Sequence, residues 1–254
     1  MPAHAHRRRL QPRTLAPWHP RMLSVRVPSA CVLAACLLAG CRPPEEPGSR
    51  VAGMMIDPQL GEISGLAVSP RHRGTLWMLD DGGNPARVFA VSPTGDRLAT
   101  LRIEGVTKTD WEDIAAFELD GRRYLLLADT GDNGGLRRTL QLHVIEEPAR
   151  VENARLRPAW SIAFRWPDGA RDCEAVAVDA ASGRVLLVSK KRQPPELFSL
   201  PLRPASRDVQ VARRLGTLAG IPRPTAETVQ LSARRAALEG QPTAADVSPD
   251  GRTL

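Results

Sequence analysis

From residue 60 onward one order of features recurs: an acidic residue, a short apolar run, a tight turn, a stronger apolar run, a polar loop and a further run. The first unit reads EISGLAVS and then TLWMLDDGGNPARVFAV. The second reads WEDIAAFELDG and then YLLLADTGDNGGLRRTLQLHVI. The third reads CEAVAVDAASG and then VLLVSKKRQPPELFSLPL, and a fourth begins at TAADVSPDGRTL. Short apolar runs bounded by Gly, Pro, Asp and Asn read as strands. A unit of this kind cannot bury its own faces and must stack on its neighbours.

The starts lie about 50 to 70 residues apart, a period that fits four-stranded blades with insertions. The expected fold is all-β, a β-propeller of about three blades plus the start of a fourth, over residues 51–254. Blades buried on both faces explain the unbroken apolar runs, where a half-exposed strand would alternate. A β-sandwich with accidental internal similarity is the competing reading. Three blades and a fragment do not close a ring, so further C-terminal blades are expected. TAETVQLSARRAALEG (225–240) is read as a short helix inserted in a loop.

The net charge of +7 invites a nucleic-acid partner, so its location matters. Six arginines and no acid fall in residues 1–41, which leaves 29 basic against 28 acidic residues in the rest. The expectation is no nucleic-acid binding, because that affinity needs cations clustered on the folded body. The apolar run SACVLAACLLAGC is too short to span a bilayer as a helix and has the size of a signal-peptide core. Its end, Leu38-Ala39-Gly40-Cys41, resembles the bacterial lipobox. That resemblance implies a signal peptide over 1–41, lipid on Cys41 and a membrane anchor. Translation from Met22 would give a leader of ordinary length. Residues 42–50, RPPEEPGSR, are read as a flexible tether. Arg42 in place of Asp, by similarity to enterobacterial lipoproteins, implies the outer membrane, facing the periplasm. Once the leader has gone and Cys41 carries lipid, Cys173 is the remaining thiol, and no internal disulfide can form.

The blade pattern gives the polar motifs a common address. Glu62, Glu112 and Glu174 are read as starting the innermost strand in three successive blades. DDGGN, DTGDN and SKKRQ are read as the loops between second and third strands, opening on the same face. Candidate ligand-binding residues there are Glu62, Asp80, Asp81, Asn84, Asp110, Trp111, Glu112, Asp129, Asp132, Asn133, Glu174 and Lys190, with Asp172 beside them. Carboxylates gathered in one concavity raise one another's pKa unless a cation compensates. Such oxygen donors suit Ca²⁺ or another hard divalent cation. Glu62, Glu112, Glu174 and Asp132 are the candidate ligands. Lys190, Lys191 and Arg192 are alternative sources of positive charge, or a seat for an anionic group. Turn chemistry alone also selects Asp, Asn and Gly in these loops. DTGDNG lacks the acid that an EF-hand needs at its twelfth position. Trp111 is either a stacking platform or a wedge between blades, and Trp77 is core. His72 and His143, the histidines left after the leader, are placed for neither a zinc site nor a triad. Cys173 is read as buried.

At TDWEDIA, DTGDN and DCEAVAV the chain resembles a group of bacterial secreted proteins and lipoproteins. More loosely it is similar to six-bladed propellers of the NHL, SMP-30/gluconolactonase and phytase-like kinds. The resemblance implies a divalent metal held by acids at the channel mouth. Two functions from different classes follow as expectations. One is ligand or partner binding through the acidic face, with Ca²⁺. The other is metal-dependent hydrolysis of a lactone or phosphoester, with Glu112 or Asp113 as general base. An envelope scaffold without a small-molecule site is the third. Candidate partners are thus the membrane, through Cys41, and an envelope protein or a small ligand.

Overall fold

In the computed structural model, which describes residues 51–254, the repeats fold as consecutive antiparallel meanders. The leader, Cys41 and the tether lie outside the described residues. β1 (Ile63–Val68), β2 (Leu76–Asp80), β3 (Arg87–Val91) and β4 (Arg97–Ile103) form the first blade. β5 (Trp111–Leu119), β6 (Arg122–Asp129) and β7 (Leu140–Glu146) open the second. Between β7 and the blade's fourth strand the chain leaves to make β8 (Ala154–Leu156), which pairs in parallel with β4. β9 (Trp160–Arg165) then completes the second blade. The third is β10 (Ala175–Asp179), β11 (Arg184–Val188), β12 (Glu196–Pro201) and, after β13 (Gln210–Val211), β14 (Arg213–Thr217). β13 repeats the device of β8 by pairing in parallel with β9 of the preceding blade. Each connection from third to fourth strand thus covers part of its neighbour's outer edge, where unpaired backbone groups would otherwise stand. The sequence reading missed both strands, because two or three residues carry no periodicity.

The run LLLA shows why alternation is absent. Leu125 and Leu127 enter the core between blades 1 and 2, with Trp77, Leu79, Trp111 and Ile114. Leu126 and Ala128 enter the core between blades 2 and 3, with Leu142, Phe164, Val176, Leu187 and Phe198. Successive side chains of a strand point to opposite faces, and both faces of β6 are covered. Each fully buried leucine contributes roughly 1.5–3 kcal/mol. On the other side of blade 1, Leu60 from a 3₁₀ turn (Pro58–Leu60) covers Met78, Phe89 and Val91, while Leu66, Val68 and Leu98 remain exposed.

Blades 1 and 2 are also strapped at the end opposite the candidate site. Glu147, following β7, is buried and accepts the Trp77 Nε1–H at 2.7 Å and the Ser69 Oγ–H. His72, in the first turn of blade 1, meets the Pro148 carbonyl through Nε2 at 2.8 Å.

Two readings of the C-terminal part need correction. The single helix expected over 225–240 is two short ones, α1 (Ala226–Leu231) and α2 (Ala233–Ala236). Ser232 between them is extended, and its hydroxyl accepts the Arg235 N–H as the cap of α2. The fourth unit has no strand over 243–254. Its turn does form: Ser248 N–H donates to the Thr253 carbonyl at 2.8 Å, and Gly251 N–H to that of Ser248.

Candidate functional site

Strand register corrects the alignment of the repeats. Ile63 pairs with Asp80 and Gly65 with Leu79, so Ser64 is bulged out of the ladder. Trp111 pairs with Asp129 and Asp113 with Ala128, so Glu112 is bulged in the same way. Ser64 therefore matches Glu112, and Glu62 matches Asp110. In blade 3, Ala175 pairs with Val188, which places Glu174 at the bulge position and Asp172 at that of Glu62. Backbone bonds agree: the carbonyls of Glu62, Asp110 and Asp172 accept from Asp81, Gly131 and Lys190 of their own loops. The repeated motif is acid–x–[Ser/Glu], not a run of three equivalent glutamates. Two residues are a small offset in a sequence, but in a bulged strand they decide which side chain reaches the mouth.

That face gathers two groups of three carboxylates, Asp81–Asp110–Glu112 and Glu112–Asp172–Glu174, with oxygens in each within 4.8 Å of one another. Glu112 belongs to both and is buried. Its Oε2 accepts the Ser64 hydroxyl at 3.1 Å. Burial, and then the charges of Glu174, Asp110 and Asp81, push its pKa up to about 8. Burial and the neighbouring Asp81 carboxyl raise Asp110 to about 6. Glycines make the convergence possible. A Cβ on Gly131 would lie 2.3 Å from both Asp110 Oδ2 and Glu112 Oε1, and one on Gly82 would lie 2.4 Å from Asp110 Oδ1.

The cations are distributed unevenly. Lys190 pairs with Glu174, and Lys191 with Asp172 at 3.1 Å while also donating to Asn133 Oδ1 at 2.8 Å. The second group is thus already compensated. The first has Arg137 in its surroundings, acting on Asp110, and that guanidinium is spent on Asp129 at 2.7 Å.

Several candidates turn out to hold the frame. Asp80 is buried between Arg87 at 3.0 Å and Lys108 at 2.8 Å. Asp129 is fully buried and accepts the Thr109 and Asp110 amides at 2.8 and 3.1 Å, so it fixes the approach to Glu112. Asp132 accepts the Leu136 and Arg137 amides of its own loop and stands outside both carboxylate groups. Glu62 is exposed, accepts from Asn84 Nδ2 at 2.8 Å and also stands outside them. Trp111 is fully buried, with Lys108 Nζ 5.2 Å from its ring centroid, so no ligand can stack on it. Cys173 is buried, and burial pushes its thiol up to about 12.

Asp113 has a role that the sequence did not show. Gly65 of blade 1 packs directly on its backbone, where a Cβ would meet Asp113 Cα at 2.8 Å. Its Oδ1 accepts the Ile114 amide and its Oδ2 the Val176 amide of blade 3, each at 2.8 Å. The Ala245 amide, from the fourth unit, also acts on it. The carboxylate therefore ties the innermost segments of successive blades. Burial outweighs these bonds and raises its pKa to about 7. A carboxylate so engaged is not free to act as a base.

No protein-family model matches the chain, and no curated protein matches it. Among solved structures it is similar to the β-propeller domain of Cps50 (Swd1) from Myceliophteria thermophila. The TM-score is 0.36 at 11% identity, over 82% of this chain and 50% of that one. It is also similar to Raptor from Chaetomium thermophilum, with a TM-score of 0.34 at 15% identity, over 57% of this chain and 12% of that one. The chain spans half of the first protein and a small part of the second. The propeller architecture rests on the strand pairing described above.

Proposed function

We propose that this chain is a lipid-anchored extracytoplasmic propeller that binds a hard divalent cation at the blade 1–2 mouth, and through it a ligand or partner. The carrying observation is the Asp81–Asp110–Glu112 group: three carboxylates that converge because Gly82 and Gly131 lie against them without a side chain, and that have no lysine or arginine paired to them among the described residues. All-oxygen donors favour Ca²⁺ or Mg²⁺ over zinc or copper. A bound cation would lower the pKa of Asp110 and Glu112 by stabilising their charged forms. Asp81, Asp110 and Glu112 would hold it, Ser64 would orient Glu112, and Asp129 would position Asp110. Calorimetric titration with Ca²⁺, and melting in EDTA with and without added Ca²⁺, test this reading. Binding heat and a raised midpoint are expected in the wild type, and both are lost in Glu112→Gln. A flat titration together with an unmoved midpoint sinks it.

A hydrolytic reading is favoured by the same three carboxylates, which would hold the cation beside any substrate that enters the mouth. With a cation bound, the metal would polarise a carbonyl or phosphoryl oxygen. Turnover of a panel of lactones and phosphoesters, absent in Glu112→Gln, is the expected result. Activity indifferent to that substitution counts against it.

A further inference from the structure

The parallel strands that cover the outer edges of the blades do not cover them equally. On blade 1, β8 lies along Leu101–Ile103 of β4, Glu104 N–H donates to the Leu156 carbonyl at 2.8 Å, and Thr100 N–H donates to Asn153 Oδ1 at 2.8 Å. On blade 2, β13 reaches only Phe164 and Arg165 of β9. Ala212 N–H donates to the Arg165 carbonyl at 3.0 Å, so the backbone groups of Arg165 face outward. That direction alternates along a strand, so those of Ala163 and Ser161 face outward too. No strand among the described residues lies against them on that side. Blades 1 and 3 and β13 all stand around β9 in the described chain, so the gap belongs to blade 2 itself.

The gap is the floor of a groove of about 730 Å³, lined there by Trp160, Ser161 and Ala163. Ser161 points to the blade 1 side, where its Oγ meets His143 Nδ1 at 2.8 Å. Trp160 points to the blade 3 side, where its Nε1–H donates to the Leu202 carbonyl at 2.9 Å. Both walls are cationic. On the blade 1 side stands Arg157, 3.5 Å from Glu104, which is the acid of the lining and is shared with Arg155. On the blade 3 side stand Arg203 and Arg207, which have no ion-pair partner among the described residues. The Arg203 guanidinium lies 4.0 Å from the Trp160 ring centroid.

We infer that the outer edge of blade 2 binds an extended acidic segment of a partner protein, added as a strand beside Ser161–Ala163. Outward amides and carbonyls at strand spacing are matched by another polypeptide backbone. A lipid headgroup or a nucleic acid supplies the negative charge but not that alternation. The arginines then set the side chains. Successive residues of an added strand point to opposite faces, one toward Arg157 and the next toward Arg203 and Arg207. Adjacent acids, as in Glu-Asp, therefore fit better than acids at every second position. Binding here is independent of any cation at the mouth.

The test is fluorescence anisotropy of the full chain in EDTA, which keeps the mouth free of cation. The probe is a fluorescein-labelled peptide, Val-Glu-Asp-Val-Glu-Asp-Val, with acids on both faces. Saturable binding is expected. The same peptide N-methylated at alternate amides keeps its charge but loses strand donors, and should bind at least about tenfold more weakly, as the loss of one or two hydrogen bonds implies. An oligothymidylate of equal charge should be weaker as well. Arg203→Glu combined with Arg207→Glu should weaken the peptide by about fivefold or more. Ala163→Pro removes the outward N–H and leaves the ladder to β7, a place where an edge strand admits proline, and should abolish binding. If that variant does not fold, the N-methylated peptide on the wild type carries the same test. No saturable binding up to about 1 mM overturns the inference and leaves the arginines as guards against edge-to-edge pairing. Equal binding of the N-methylated peptide or of the oligothymidylate also overturns it, since charge alone would then explain the affinity.

Discussion

Ser64 and Glu112 occupy the same bulged position of successive blades, and the Ser64 hydroxyl donates to Glu112 Oε2 at 3.1 Å. One repeat position thus supplies a carboxylate in one blade and its hydrogen-bond donor in the one before. A glutamate in both places would set two buried charges side by side. The Ser–Glu pairing leaves a single acid between Asp110 and Glu174, and it becomes the one common to both carboxylate groups.

The raised pKa of Glu112 makes stability depend on pH. Its folded value of about 8 lies above its ordinary value of 4.5. Between those limits the folded state holds a proton that the unfolded chain has released, so stability falls as pH rises through this window. Asp110, raised to about 6, and Asp113, raised to about 7, act in the same direction. Without divalent cations, the wild type should melt higher at pH 5 than at pH 8. Glu112→Gln should flatten that slope and gain about 3–6 °C at pH 8, a gain of 1–2 kcal/mol for a domain of this size. Calorimetric scans across pH in EDTA read this directly, and a steeper slope in the variant would refute the placement of Glu112.

Gly131→Ala tests the convergence of Asp110 and Glu112. The added Cβ falls 2.3 Å from an oxygen of each, so the two carboxylates must separate. Overpacking of this kind costs about 1–3 kcal/mol, and any cation binding at the pair should weaken with it. Gly134→Ala is the control, since its nearest neighbours are atoms of the exposed Leu136 side chain at 3.4 Å. Equal melting and equal Ca²⁺ titrations for the two variants would contradict the geometry.

Asp113→Ala leaves the buried Val176 amide without its acceptor, at a cost of about 1–3 kcal/mol. Asp113→Asn keeps one carbonyl oxygen and should lose less. Amide hydrogen exchange at Val176 should accelerate more in the Ala variant than in the Asn variant, while amides in the middle of β6 change little. Unchanged exchange at Val176 in Asp113→Ala would show that the bond is not made.

Glu147→Ala removes the acceptor of the Trp77 indole N–H and of the Ser69 hydroxyl between blades 1 and 2. Loss of 2–4 kcal/mol, on the order of two buried donors left unpaired, should appear as a lower urea midpoint with a similar slope. Glu147→Gln, which still accepts from Trp77, should recover part of the loss. A wild-type midpoint in Glu147→Ala would rule out the strap.

The sequence by itself determined the class of fold. Apolar runs too strong for half-exposed strands, at a period near 60 residues, admit few architectures other than stacked blades. Buried positions such as Trp77, Leu125 to Leu127 and Phe198 follow from that pattern, as does the face on which DDGGN and DTGDN open. Tertiary structure decided what the acids do. Asp80, Asp129, Asp132 and Asp113 were indistinguishable from ligands in the sequence, because an aspartate that satisfies buried amides and one that faces an open mouth have the same local neighbours. Register made the difference: a single bulged residue in β1 and in β5 shifts which acid is equivalent to which. Such a bulge is created by pairing with β2 and β6, and no pattern along one strand records it.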